Sequence, residues 1–175
     1  MEFLPATIQA LACTETALRA NLAGLDRADL TTKPAPHEWS IVEVLCHLRD
    51  LEAEIFPQRT ELIRRNDGSK ILGFDEKAWT IERKYAQADP NEALDYFCAA
   101  RRKNLPLLRE ISASELEKNA VHSEFGKMSL RVLLADWAGS DLVHTAQIQR
   151  IRLWRFYPDL GPFQKYFNTA LRIKG

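Results

Sequence analysis

The side chains best placed for chemistry are polar groups sitting where a helix should be apolar. At about 100° per residue, His144 falls between Trp137, Ile148 and Ile151, and Ser140 and Asp141 share its inward side. Three polar groups interrupting one core stripe are costly unless each finds a hydrogen bond or a metal. His47 lies beside Leu51 at the edge of a second stripe. Glu43 stands four residues before it and Glu54 seven after, so a carboxylate could orient the imidazole. If the helices carrying them are neighbours, His47 and His144 converge, and inward side chains from different helices are how bundles build metal sites. A His pair at i and i+4 on one helix would reach one ion together; the position four before His144 is Ser140. His37 and His122 fall on predicted loops and are expected to be exposed.

Other classes of site find less support. Cys13, Cys46 and Cys98 form no C-x-x-C pair, which argues against a disulfide framework or a cysteine zinc site and leaves three buried thiols as the expectation. Lys plus Arg number 24, as do Asp plus Glu, for a formal net charge of +0. That balance gives no overall pull toward nucleic acid or an anionic membrane. No apolar run approaches the roughly 20 residues of a membrane span, and Met-Glu-Phe-Leu-Pro lacks the basic start and apolar stretch of a signal peptide. A cytoplasmic protein is expected. The 175 residues, 46% hydrophobic, suit one domain with one sizeable core, spanning 1–175.

The elements that must position the histidines are helical. Ile8, Leu11, Leu18 and Leu22 share a face of a first helix running from about Ala6, with Glu15 interrupting the stripe as a group expected to snorkel or pair with a cation. A Pro-bearing connection, Thr31 to Pro36, follows. Ser40 and Glu43 have capping-box spacing and open a second helix with Ile41, Val44, Leu45, Leu48, Leu51 and Ile55. It extends toward Arg65, with a kink or break expected at Pro57. Asn66-Asp67-Gly68 signals a turn. A short helix from Asp75 to Lys84 is expected next. Another follows, capped by Asn91 and carrying Leu94, Phe97, Cys98, Arg101, Leu105 and Leu108. A brief helical piece near Glu115 precedes Val121–Lys127, a loop or short extended arm. A last long helix starts near Ser129 with Leu130, Leu133, Leu134, Trp137, Leu142, Ile148 and Ile151. Four long amphipathic helices with one long connection predict an all-α four-helix bundle.

The C-terminal tail is aromatic and basic: Trp154, Phe156, Tyr157, Phe163, Tyr166 and Phe167, with Arg155, Lys165, Arg172 and Lys174 among and after them. Such interleaving can grip a nucleic-acid strand, but no basic groove accompanies it. The favoured expectation is a tail packed over the bundle or a partner subunit, with its cations snorkelling.

Several of these segments, from Pro34 to Arg152, resemble the DinB/YfiT-like four-helix proteins. Trp39-Ser40-Ile41-Val42-Glu43-Val44-Leu45-Cys46-His47-Leu48 is similar to that family's W-S-x-x-E-x-x-x-H-L. Asp75-Glu76-Lys77-Ala78-Trp79 is similar to D-E-x-x-W. Phe97 with Arg101 and Leu105, and Gly126 before Ser129-Leu130, follow in order. Ser140-Asp141-Leu142-Val143-His144-Thr145-Ala146-Gln147-Ile148 is similar to H-D-x-x-H-x-x-Q-I. The resemblance implies a divalent metal, zinc or nickel, among the helices. Its ligands would be His47, position 140 and His144. This chain departs at Ser140, a weak neutral ligand for zinc.

Two functions stay open. In the first, the resemblance implies a metal-dependent hydrolase or a transferase using a low-molecular-weight thiol. His47 and His144 would be ligands, Asp141 or Glu43 would orient an imidazole, and Ser140 would bond water or substrate. In the second, the protein binds no metal. A polar cavity lined by His47, Ser140, Asp141, His144 and Trp79 or Trp137 then takes a small ligand, or is only a satisfied network. A homodimer is expected in either case. A third reading, as a DNA-binding damage-response protein, has the charge balance against it.

Overall fold

Each long helix carries an apolar group near either end and a polar residue between, and this alternation organises the molecule. The computed structural model describes residues 2–65, 68 and 70–168. Its helices are α1 (Phe3–Leu22), α2 (Arg27–Thr31), α3 (Ile41–Asp50), α4 (Phe56–Arg65), α5 (Glu76–Glu82), α6 (Pro90–Arg109), α7 (Leu130–Phe156) and α8 (Gln164–Phe167). The bundle is formed by α1, the α3–α4 rod, α6 and α7. In it α3 packs on α6 and α7, and α1 packs on the same two helices from another side. The chain is thus an all-α four-helix bundle with a small added sheet.

Leu11, Leu51, Ile55, Leu134 and Trp137 belong to one apolar cluster. Leu18, Leu45, Leu48, Phe97 and Ile148 belong to the other. Between them along the chain lie Thr14 on α1, Arg101 and Asn104 on α6, and Asp141 and His144 on α7, while His47 on α3 stands among residues of the second cluster. Two cores are therefore separated by a polar layer, whose buried members Thr14, Arg101, Asn104 and Asp141 must find partners within the protein.

The starts of the helices follow from their first turns. Ser40 and Glu43 form the expected capping box on α3, and Ser129 accepts the Val132 N–H at the start of α7. Asp75 accepts the Lys77 and Ala78 N–H groups of α5. On α6 the cap is Asp89, which accepts from Asn91 and Glu92, and not Asn91. Pro90, with φ preset for a first helical position, moves the cap one residue before itself.

Pro57 does not break its helix. Leu51–Ile55 widens into a π-turn, in which the Phe56 N–H donates to the Leu51 carbonyl. Widening relieves the contact between a proline ring and the carbonyl four residues earlier. In this wider register the Glu52 carbonyl faces Pro57, which has no N–H. The Asn104 side-chain amide donates to that carbonyl instead, at 2.9 Å.

The segment expected as a loop or extended arm is a hairpin. Strands β2 (Asn119–His122) and β3 (Gly126–Ser129) are antiparallel, and β1 (Lys70–Ile71) adds in parallel to β2, with Ile71 opposite His122. Gly126 turns with φ +72°, a conformation that suits glycine.

Four further expectations change. Cys46 and Cys98 are buried, but Cys13 is exposed on the outer face of α1. Leu142 is exposed, because Asp141 takes the inward position beside it. His122 is buried. In the tail, α7 runs on to Phe156, and Phe156, Phe163 and Tyr166 are exposed rather than packed on the bundle. Arg172 and Lys174, like Asn66 and Asp67 of the expected turn, lie outside the described residues.

Candidate functional site

His47 on α3 and His144 on α7 meet, with ring centroids 4.7 Å apart and planes inclined by 70°. The Trp39 ring stands 4.9 Å from His47 and 6.3 Å from His144, stacked on the latter. Burial, reinforced by the His144 ring, pushes the His47 imidazole down to about 3. It is therefore neutral at physiological pH and keeps an unprotonated nitrogen. His144 Nδ1 lies 2.9 Å from Gln147 Oε1. A bond from Nδ1–H to that oxygen leaves the Nε2 lone pair free.

Both rings face a cavity of about 270 Å³, which Ser140, His122, Arg59 and Asp136 also line. A more apolar cavity of about 320 Å³, walled by Leu25, Ile151 and Trp154, lies elsewhere, between α2 and the end of α7.

The donor set fits a divalent ion at two positions. Zinc bound about 2.0–2.1 Å from two imidazole nitrogens sets the rings roughly 5 Å apart, centre to centre; the observed separation is close to that. The third position is the neutral Ser140 hydroxyl. Among the described residues no group of three or more His, Cys, Asp or Glu side chains could hold a metal. Any ion here would depend on solvent or a bound molecule to complete its shell.

The structure separates the remaining site candidates. Asp141 does not face the histidines. Its Oδ2 accepts from Thr14 Oγ1 at 2.6 Å and from Arg101 at 2.7 Å. Arg101, 1% exposed, also donates to the Leu11 carbonyl at 2.6 Å and to Glu52 Oε2 at 2.7 Å. Glu52 further accepts from Trp137 Nε1 at 2.8 Å and Asn104 Nδ2 at 2.8 Å. Burial raises the Glu52 carboxyl above its ordinary range, with Arg101 pulling against it. This network ties α1, α3–α4, α6 and α7 together. Glu43 serves its helix cap and Lys33, 2.7 Å away, and Glu54 pairs with Arg83; neither touches an imidazole. Trp79 lies against Phe74, with the Arg83 guanidinium 3.5 Å over its ring, and does not line the cavity. Trp137 serves Glu52.

Sequence reasoning missed Trp39, His122 and Arg59 as neighbours of the site. Trp39 was legible, because it sits eight residues before His47 in the W-S-x-x-E-x-x-x-H-L segment. His122 was not, because its burial depends on the pairing of β1 with β2.

The sequence profile of the DinB superfamily matches residues 10–148, and the chain belongs to that superfamily. Among solved structures it is similar to YfiT from Bacillus subtilis, described as a probable metal-dependent hydrolase with an unusual four-helix bundle topology. The identity is 20%, 85% of each chain is covered, and the TM-score is 0.76. No curated protein matches the chain. Among the described residues no helix is long and apolar enough to cross a membrane.

Proposed function

We propose that the chain is a metal-dependent DinB-type protein, a hydrolase or a low-molecular-weight-thiol transferase. His47 and His144 supply two ligands to a zinc or nickel ion, and solvent or substrate fills the position that Ser140 leaves open. The observation that carries this reading is the meeting of the two imidazoles at 4.7 Å, one of them kept neutral by burial. When bound, a divalent ion lowers the pKa of a coordinated water or thiol to near neutrality.

The chain's own residues do the rest. Burial keeps His47 from competing for a proton. Gln147 holds His144 in one orientation, as second partners of metal-binding histidines do. The Ser140 hydroxyl is a donor and acceptor for a water or substrate oxygen. Trp39, against both rings, restricts water on its side. The test is Ser140→His: restoring a third imidazole should tighten zinc binding at least tenfold, and no gain would mean that position 140 does not reach the ion.

A second reading, a small-ligand-binding module without metal, is favoured by one observation, the Ser140 hydroxyl where a third ligand would stand. Under that reading the unmodified chain stays metal-free at micromolar zinc or nickel, while the cavity still takes an organic ligand.

A further inference from the structure

His122 is the third imidazole of the cavity, and its hydrogen bonding gives it a different task from the other two. The pairing of Ile71 with His122 brings it there from outside the helical bundle, and the Phe125 ring, 4.8 Å away, holds it. Its Nδ1 accepts the Glu124 N–H at 3.1 Å. A ring that accepts at Nδ1 carries its proton at Nε2, and such a ring cannot bind a metal through Nε2. His122 is therefore a donor and does not replace the ligand missing at Ser140. That donor is buried in a side chain 2% exposed and has no hydrogen-bond partner among the described residues. An unpaired buried N–H is costly, and a molecule in the cavity that it lines can supply the acceptor.

The charges lining the cavity narrow the choice of molecule. Arg59 is the cation; Glu76, Glu124 and Asp136 are three carboxylates. Arg59 bonds the Leu72 carbonyl at 3.2 Å. This balance disfavours an anion. Resting on the reading of this cavity as the substrate pocket, we infer that it takes an uncharged carbonyl compound, an amide or ester, whose oxygen accepts the His122 Nε2–H. A neutral imidazole N–H aimed at a carbonyl oxygen polarises it without giving up its proton.

The test uses the full chain, chelator-treated and zinc-loaded, with butyramide and butyrate as probes. Imidazole ¹⁵N NMR should show His122 protonated at Nε2 and should register butyramide binding in both preparations, with butyrate weaker. His122→Leu should weaken butyramide binding roughly tenfold, whereas His122→Gln, which keeps an N–H donor, should retain most of it. Three results would overturn the inference: the opposite tautomer in the unmodified chain, no response to butyramide, or butyrate binding as well as butyramide. Equal butyramide binding by His122→Leu would do so as well. Failure of zinc to bind the same sample strikes only the metal reading, because the His122 contact needs no metal.

Discussion

Arg101→Leu is the substitution whose effect the structure specifies most fully. Arg101 donates to Leu11 O, Asp141 Oδ2 and Glu52 Oε2, all within the buried layer. Leucine leaves two buried carboxylates without their counter-charge and removes the second donor from the Leu11 carbonyl, which keeps its helical bond. Thr14 still bonds Asp141, and Trp137 and Asn104 still bond Glu52, so the layer is damaged rather than emptied. Breaking one partner out of a buried ion pair costs about 3–5 kcal/mol. For a chain of this length that lowers Tm by roughly 6–20 °C, at about 2–4 °C per kcal/mol. Urea denaturation followed by circular dichroism measures the loss, with an unchanged urea dependence marking a true stability effect. The pH response adds a second readout. Without Arg101, burial drives the Glu52 carboxyl further upward. A carboxyl whose folded pKa is raised binds its proton more tightly when folded, so the variant should regain stability as pH falls from 8 toward 5. Adding Glu52→Gln and Asp141→Asn should recover much of the loss at pH 8. A loss below about 1 kcal/mol, comparable to an exposed ion pair, or a deficit indifferent to pH, would refute the idea that this layer is a mutually dependent network.

Other outcomes follow from single groups. Burial works to raise the Asp50 carboxyl, but the Arg49 guanidinium, the Tyr85 hydroxyl and Arg83 outweigh it and hold it below its ordinary range. Its contribution is present above pH 4 and is lost as pH falls through the depressed folded value. Asp50→Asn should therefore lower stability at pH 7 and flatten the acid limb of the stability profile. Gln147→Leu should weaken zinc binding about 10–100-fold with little change in Tm, the signature of a lost orienting partner; an unchanged affinity would mean that Gln147 does not set the His144 ring. Burial pushes the Cys46 and Cys98 thiols up to about 11, whereas Cys13 is exposed. A disulfide reagent at pH 8 should therefore modify one thiol per native chain rapidly, and the other two only on unfolding.

Helix periodicity made the bundle legible, because four long stripes of apolar residues are a local property. The convergence of His47 and His144 was legible for the same reason: His144 breaks one stripe and His47 stands at the edge of another, and a polar group turned toward a core must face another. Asp141 breaks the same stripe as His144, yet serves a different cluster. The direction of a side chain one step around a helix is settled by which neighbour offers a partner, here Arg101 and Thr14, and no single helix encodes that. Pro57 signalled a break, but the chain absorbs it through a π-turn whose freed carbonyl is met by Asn104, 52 residues further along the chain. His122 was the least legible, because a four-residue strand with only moderate patterning is positioned by pairing with Lys70–Ile71.

Zinc titration of the unmodified, chelator-stripped chain tests the central claim most directly, with bound metal counted per chain at micromolar free ion. The account predicts one ion per chain, lost in both His47→Gln and His144→Gln. Occupancy well below one, or occupancy that persists in those variants, would contradict it.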